Sequence, residues 1–130
     1  MKELDDITGA IVDASLNIHK DLGPGLLESV YEVLLCHRLK LRSLRVRRQI
    51  PVPIRIDGIM FDEGFRADLL VEESVIVELK SVEKNHPVHP KQLRTQLVLS
   101  ELQLGLVLNF GLERMKDGIV RVVNGLPEES

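Results

Sequence analysis

This chain of 130 residues lacks most of the features that would tie it to an oxidising compartment, a bilayer or a polyanion. It has one cysteine, Cys36, which excludes an internal disulfide and leads us to expect a reducing compartment, most simply the cytoplasm. Its place among Leu34, Leu35 and Leu39 reads as a core filler and not a nucleophile. No apolar run approaches the length that crosses a bilayer, so no membrane is expected among its partners. The acidic start, Met1 to Asp6, lacks the apolar stretch of a signal peptide. Aromatic residues are scarce: three Phe, one Tyr and no Trp, so the core must be aliphatic. Seventeen Lys and Arg stand against twenty Asp and Glu, a net charge of −3. Attraction to nucleic acid would therefore have to come from a local patch. There is no internal repeat and no low-complexity segment. The expectation is one domain over residues 1–126 with a disordered tail, 127–130.

What is present alternates in period. Asp5 or Asp6 is placed to cap a first helix whose apolar residues Ile7, Ile11, Ala14, Ile18 and Leu22 follow helical spacing. Gly23-Pro24-Gly25 ends it. A second helix is predicted from about Leu26 to Leu41, with Val30, Leu34 (or Val33) and Leu41 buried. Glu28 and Glu32 near its start suit the helix dipole. Strands follow from Val46 to Ile56, Met60 to Val71 and Val75 to Lys80. Pro51 and Pro53 mark the first strand as an edge, bulge or bend. A third helix is predicted from Lys91 to Leu102, with Leu93, Leu97 and Val98 on its apolar face. His89, Gln92 and Gln96 share one stripe of it. The apolar run Leu106 to Phe110 reads as a strand buried on both faces, and Gly118 to Asn124 as a closing strand. The order α-α-β-β-β-α-β-β describes an α/β sandwich.

The fifteen residues Arg66 to Lys80 are the most informative. Two aliphatic runs flank the acidic patch Glu72-Glu73-Ser74, a hairpin signal. If Val71 opposes Val75 across a three-residue loop, Asp68 opposes Glu78 and Arg66 opposes Lys80. One face then carries Ala67, Leu69, Val71, Val75, Val77 and Leu79, and the other Arg66, Asp68, Leu70, Ile76, Glu78 and Lys80. A slip of one residue would mix these faces. This register sets two carboxylates roughly 4.5–5.5 Å apart at Cβ, where like charges destabilise a sheet. Two readings compensate. Either a divalent cation sits between the acids, or Arg66 and Lys80 neutralise them in a four-charge ladder.

Other signals are thinner. Arg38, Lys40, Arg42, Arg45, Arg47 and Arg48 are six cations in eleven residues. They read first as a solvated helix end and second as a phosphate-contacting patch. His86 and His89 lack a second ligand pair for zinc. Ser29, Ser74 and Ser81 lack a nucleophile elbow, and Gly23-x-Gly25 follows a helix and not a strand, unlike a dinucleotide cradle.

Asp68 followed by Glu78-Leu79-Lys80, in an αβββαβ order, resembles the catalytic signature of the PD-(D/E)XK nuclease superfamily. Gly25-Leu26-Leu27-Glu28-Ser29-Val30-Tyr31 is similar to the motif that names its GxxExxY family. Arg66-Ala67-Asp68, Val77-Glu78-Leu79-Lys80, Gln92 and Gly105 to Gly111 resemble that family's other blocks. The resemblance runs from about Ile7 to Val123. It implies a restriction-endonuclease-like αβββαβ core with an extra N-terminal helix and a C-terminal strand. Ala67 departs from the signature proline, and Gln96 stands near where the family usually has tyrosine.

The resemblance also implies roles. Asp68, Glu78 and the Leu79 carbonyl would hold Mg²⁺, with Mn²⁺ as an alternative. Lys80 would hold or deprotonate the attacking water. Glu28 would reach over from the second helix to orient water or complete a second metal site, and Gln92 would lie beside the metal. Tyr31 could line the same pocket, although core packing is its simpler use. The implied activity is phosphodiester hydrolysis in nucleic acid, DNA ahead of RNA. The rival is a non-catalytic scaffold or binding module that keeps the fold. A chain this small would cover few phosphates, so a homodimer or a larger protein partner is compatible with it.

Overall fold

A computed structural model describes residues 3–125; the tail expected from Pro127 lies outside them. Helix α1, Leu4–Leu22, buries Ile7, Ile11, Ala14 and Ile18, the spacing that lines one helix face. Its cap differs from expectation. Glu3 is the capping residue and no side chain closes the first turn, while Asp5 and Asp6 lie within it, where the helix dipole favours them. Leu22, expected inside, is exposed, because it falls in the last turn beside the Gly23 stop.

Helix α2, Glu28–Leu41, begins two residues later than expected and in a different rotational phase. Its buried residues are Tyr31, Glu32, Leu35, Cys36 and Leu39. Val30, Val33 and Leu41 are exposed, and Leu34 is only partly buried. The phase is set by Tyr31, whose ring stacks on Phe110 with centroids 4.5 Å apart. A buried aromatic pair of this kind outweighs a few aliphatic contacts. Cys36 lies in the core, as its neighbours imply.

Strands β1 (Val46–Ile56), β2 (Ile59–Val71), β3 (Val75–Lys80), β4 (Leu104–Asn109) and β5 (Ile119–Val123) form one sheet in the order β1-β2-β3-β4-β5. β1 is an edge strand with a register shift between Val52 and Ile54, which accommodates two prolines that cannot donate to a ladder. β3 and β4 are parallel and are joined through helix α3, Val88–Ser100. This helix starts three residues before the predicted Lys91, since Pro90 fits a first turn where a missing N–H costs nothing. Val98, expected on its apolar face, is half-exposed, whereas Leu93 and Leu97 are buried. A 3₁₀ turn, Met115–Gly118, leads into β5.

The sheet has a core on each side. Leu69, Val71, Val75, Val77, Leu79, Leu104, Leu106 and Leu108 pack with the buried residues of α1 and α2. Leu70, Ile76, Val107 and Val122 pack with Leu93 and Leu97 of α3. β4 is buried along its whole length, as its unbroken apolar run predicts. Ala67 is the exception to the hairpin's alternation, because it joins the α3-side cluster. Pairing of β1 with β2 is interrupted between Arg48↔Leu69 and Ile50↔Ala67, where Gln49 has a left-handed backbone, φ 48°.

Gly111 shows how closely the chain end of β4 approaches the end of β3. A Cβ there would overlap the backbone nitrogen and oxygen of Val82, two residues past Lys80. Since backbone cannot swing aside as a side chain can, Gly111→Ala should cost about 2–3 kcal/mol, read as a lower urea midpoint at unchanged slope.

Candidate metal centre

The site is built where a ladder ends. β2 and β3 pair as Val71↔Val75, Leu70↔Ile76 and Leu69↔Val77, across the three-residue turn Glu72 to Ser74. Glu72 and Glu73 both adopt φ 52°, and the Ser74 N–H closes the turn on the Val71 carbonyl at 3.0 Å. The next position in this register sets Asp68 across from Glu78. There the pairing stops and the Asp68 side chain substitutes for a strand partner, its Oδ2 accepting the Leu79 N–H at 2.9 Å. On its other oxygen, Asp68 Oδ1 accepts from Gln49 Nε2 at 3.2 Å.

Glu78 is held less firmly, its hydrogen-bonding influences coming from Asp68 alone. Its Oε1 is buried and makes no hydrogen bond. Burial, then the adjacent Asp68 carboxylate through its charge and a side-chain hydrogen bond, pushes its pKa from 4.5 up to about 8, against smaller opposing pulls from Lys80 and an Asp68 backbone hydrogen bond. Two carboxylates so placed cannot both ionise cheaply without a counter-charge. The amine does not supply one by contact. Among the described residues no ion pair joins Arg66 or Lys80 to either acid. Arg66 instead pairs with Glu63 at 2.9 Å and donates to the Gln49 carbonyl at 2.7 Å. The four-charge ladder is therefore not formed. A buried, unpaired carboxylate oxygen beside a second, clamped carboxylate fits the oxygen donors a hard divalent cation takes.

A family model of the PD-(D/E)XK nuclease superfamily matches residues 5–122. The chain belongs to that superfamily. No curated protein and no solved structure matches it.

In this PD-(D/E)XK domain Lys80 ends β3 half-buried on the same face as Glu78. Its carbonyl accepts the Phe110 N–H at 2.8 Å. His89 at the start of α3 lies near it, and burial first, then Lys80 and His86, lower the His89 pKa. Of the expected stripe on α3, His89 is half-exposed and Gln96 is partly buried, with a buried Oε1 that makes no hydrogen bond. Gln92 is exposed. Glu28 is also exposed, as the first residue of α2. Among the described residues no three His, Cys, Asp or Glu side chains form a group that could hold a metal ion. The loop before Glu28 is nonetheless tied to the site, because Ser81 Oγ donates to the Leu26 carbonyl at 2.7 Å. Tyr31 is a core residue whose hydroxyl donates to Gly23 O at 2.6 Å and accepts from Leu26 N–H at 3.2 Å. It holds that loop and does not line the site.

Two residues at the site carried no signal in the sequence. Glu32, 5 % exposed, accepts from Gln49 Nε2 at 2.7 Å and pairs with Arg48 at 2.9 Å. No periodicity marks Glu32 as buried, and Gln49 reaches Asp68 from the neighbouring strand β1. The cationic run proves largely self-neutralised. Arg38, Arg42, Arg45, Arg47 and Arg48 pair with Asp21, Asp13, Glu72, Glu73 and Glu32, which leaves little charge there for phosphates.

Proposed function

We propose that the chain is a divalent-metal-dependent phosphodiesterase of the GxxExxY type that hydrolyses nucleic acid, DNA ahead of RNA. The observation that carries this reading is the buried, unpartnered Oε1 of Glu78 beside the clamped carboxylate of Asp68. Asp68, Glu78 and the Leu79 carbonyl would hold Mg²⁺ or Mn²⁺. When bound, the ion supplies a lowered water pKa and counter-charge at phosphorus.

The chain's own residues do the rest. Lys80, free of any ion pair, orients the attacking water and donates to a phosphate oxygen on which charge accumulates. Glu28 and Gln92, both solvent-facing, meet water or substrate at the rim. The peptide of Leu79 keeps Asp68 directed at Glu78. Thermal melts with Mg²⁺ or Mn²⁺ test the reading together with a cleavage screen over single- and double-stranded DNA and RNA at low salt. A bound ion at a hundred times its Kd stabilises by about 2.7 kcal/mol, a rise of several degrees. The absence of both shift and cleavage would sink the reading. A shift without cleavage of any nucleic acid would favour a scaffold that retains the metal, a reading to which the self-neutralised arginines lend weight.

A further inference from the structure

The amide of Gln49 spans two acids from different elements. Its Nε2 donates to Glu32 Oε1 of α2 at 2.7 Å and to Asp68 Oδ1 of β2 at 3.2 Å. The Gln49 backbone is left-handed, φ 48°, a conformation that residues with a Cβ other than Asn and Asp seldom adopt. The far end of the bridge is fixed as well: Glu32 is buried and its second oxygen accepts from Arg48 Nε at 3.1 Å. Asp68 is thereby held from both sides, with Gln49 on Oδ1 and the Leu79 N–H on Oδ2. Such a carboxylate has lost its torsional freedom, and its remaining lone pairs keep one direction.

We propose that Gln49 is a positioning residue that, anchored on Glu32, holds the Asp68 carboxylate in the orientation that binds the divalent ion. This rests on the metal-dependent reading above. Gln49 touches neither ion nor substrate; it acts through Asp68.

The test pairs Mn²⁺ affinity by calorimetry with the melting temperature in EDTA. Gln49→Asn suits the left-handed backbone at least as well as Gln does, but its shorter amide cannot span both acids. Gln49→Gly removes the amide and relieves the backbone altogether. Both variants should stay folded in EDTA, melting somewhat lower because Glu32 loses a donor, and bind Mn²⁺ at least about ten-fold more weakly. A purely structural role would instead leave both variants without a cooperative melt in EDTA, their affinity lost only with the fold, which overturns the proposal. Wild-type affinity in either folded variant overturns the positioning role and leaves the metal reading intact. A wild type that binds no Mn²⁺ removes both.

Discussion

Lys80→Ala is expected to abolish nucleic-acid cleavage while the Mn²⁺-induced rise in melting temperature stays nearly intact. Lys80 shares a face with Glu78 but makes no ion pair or hydrogen bond through its amine, in contrast to five of the six cations between Arg38 and Arg48. A cation that the fold does not use internally is available for charge that develops only during reaction. Loss of a positioned donor or proton-transfer group costs about 10²–10⁴ in rate. The ion's own ligands are oxygens, so its affinity should change by far less. Because α3 places His89 beside Lys80, removal of the ammonium also frees His89 from a repulsive neighbour and should not unfold the helix terminus. Single-turnover cleavage and metal-titrated melts of both proteins check this. Equal loss of turnover and metal response would make Lys80 a structural residue.

The second large effect concerns Glu78→Gln and pH. In the metal-free protein Glu78 titrates near 8 against an ordinary 4.5, with burial the main cause and Asp68 the next. The folded chain therefore holds this proton more tightly than the unfolded one. Its contribution to stability is complete below pH 4.5 and is lost progressively as pH rises to about 8. Metal-free wild type should thus weaken over that window by a few kcal/mol, at up to about 1.4 kcal/mol per pH unit. Gln has no proton to lose, so the variant should lack this slope and at pH 8 in EDTA be the more stable protein. Its Mn²⁺ response should vanish, since an amide oxygen is a poor exchange for a carboxylate. In the wild type, ion and proton compete for the same oxygens, and apparent Mn²⁺ affinity should climb about ten-fold per pH unit up to 8. Urea melts across this range, with and without Mn²⁺, decide the matter. A variant as pH-sensitive as wild type would mean that another group carries the titration.

The hairpin was legible because its alternation admits one register. Leu69, Val71, Val75, Val77 and Leu79 must share a face, and a one-residue slip would expose all of them. That constraint alone brings Asp68 opposite Glu78. The strand character of Leu104–Asn109 and the edge position of β1 were legible for similar reasons, one from an unbroken apolar run and the other from Pro51 and Pro53. The phase of α2 was not, since aliphatic residues occur on every side of it and the choice among them is made by Tyr31 meeting Phe110, 79 residues further on in the sequence. The start of α3 is not legible in the sequence, because Pro90 breaks a helical pattern yet is tolerated in a first turn.

By itself the sequence determined the order of the elements, the pairing of β2 with β3, and hence the meeting of two acids and an amine at the end of one strand pair. Those follow from local periodicity, which is written in neighbouring residues. Only the tertiary structure decided which oxygen of that pair is clamped and which is left buried without a donor. Asp68 is restrained by a side chain from β1 that is itself anchored on α2, whereas Glu78 meets no donor at all on its Oε1. Contacts between side chains far apart in the chain depend on how helices rotate and where a strand twists, and no short-range pattern records either.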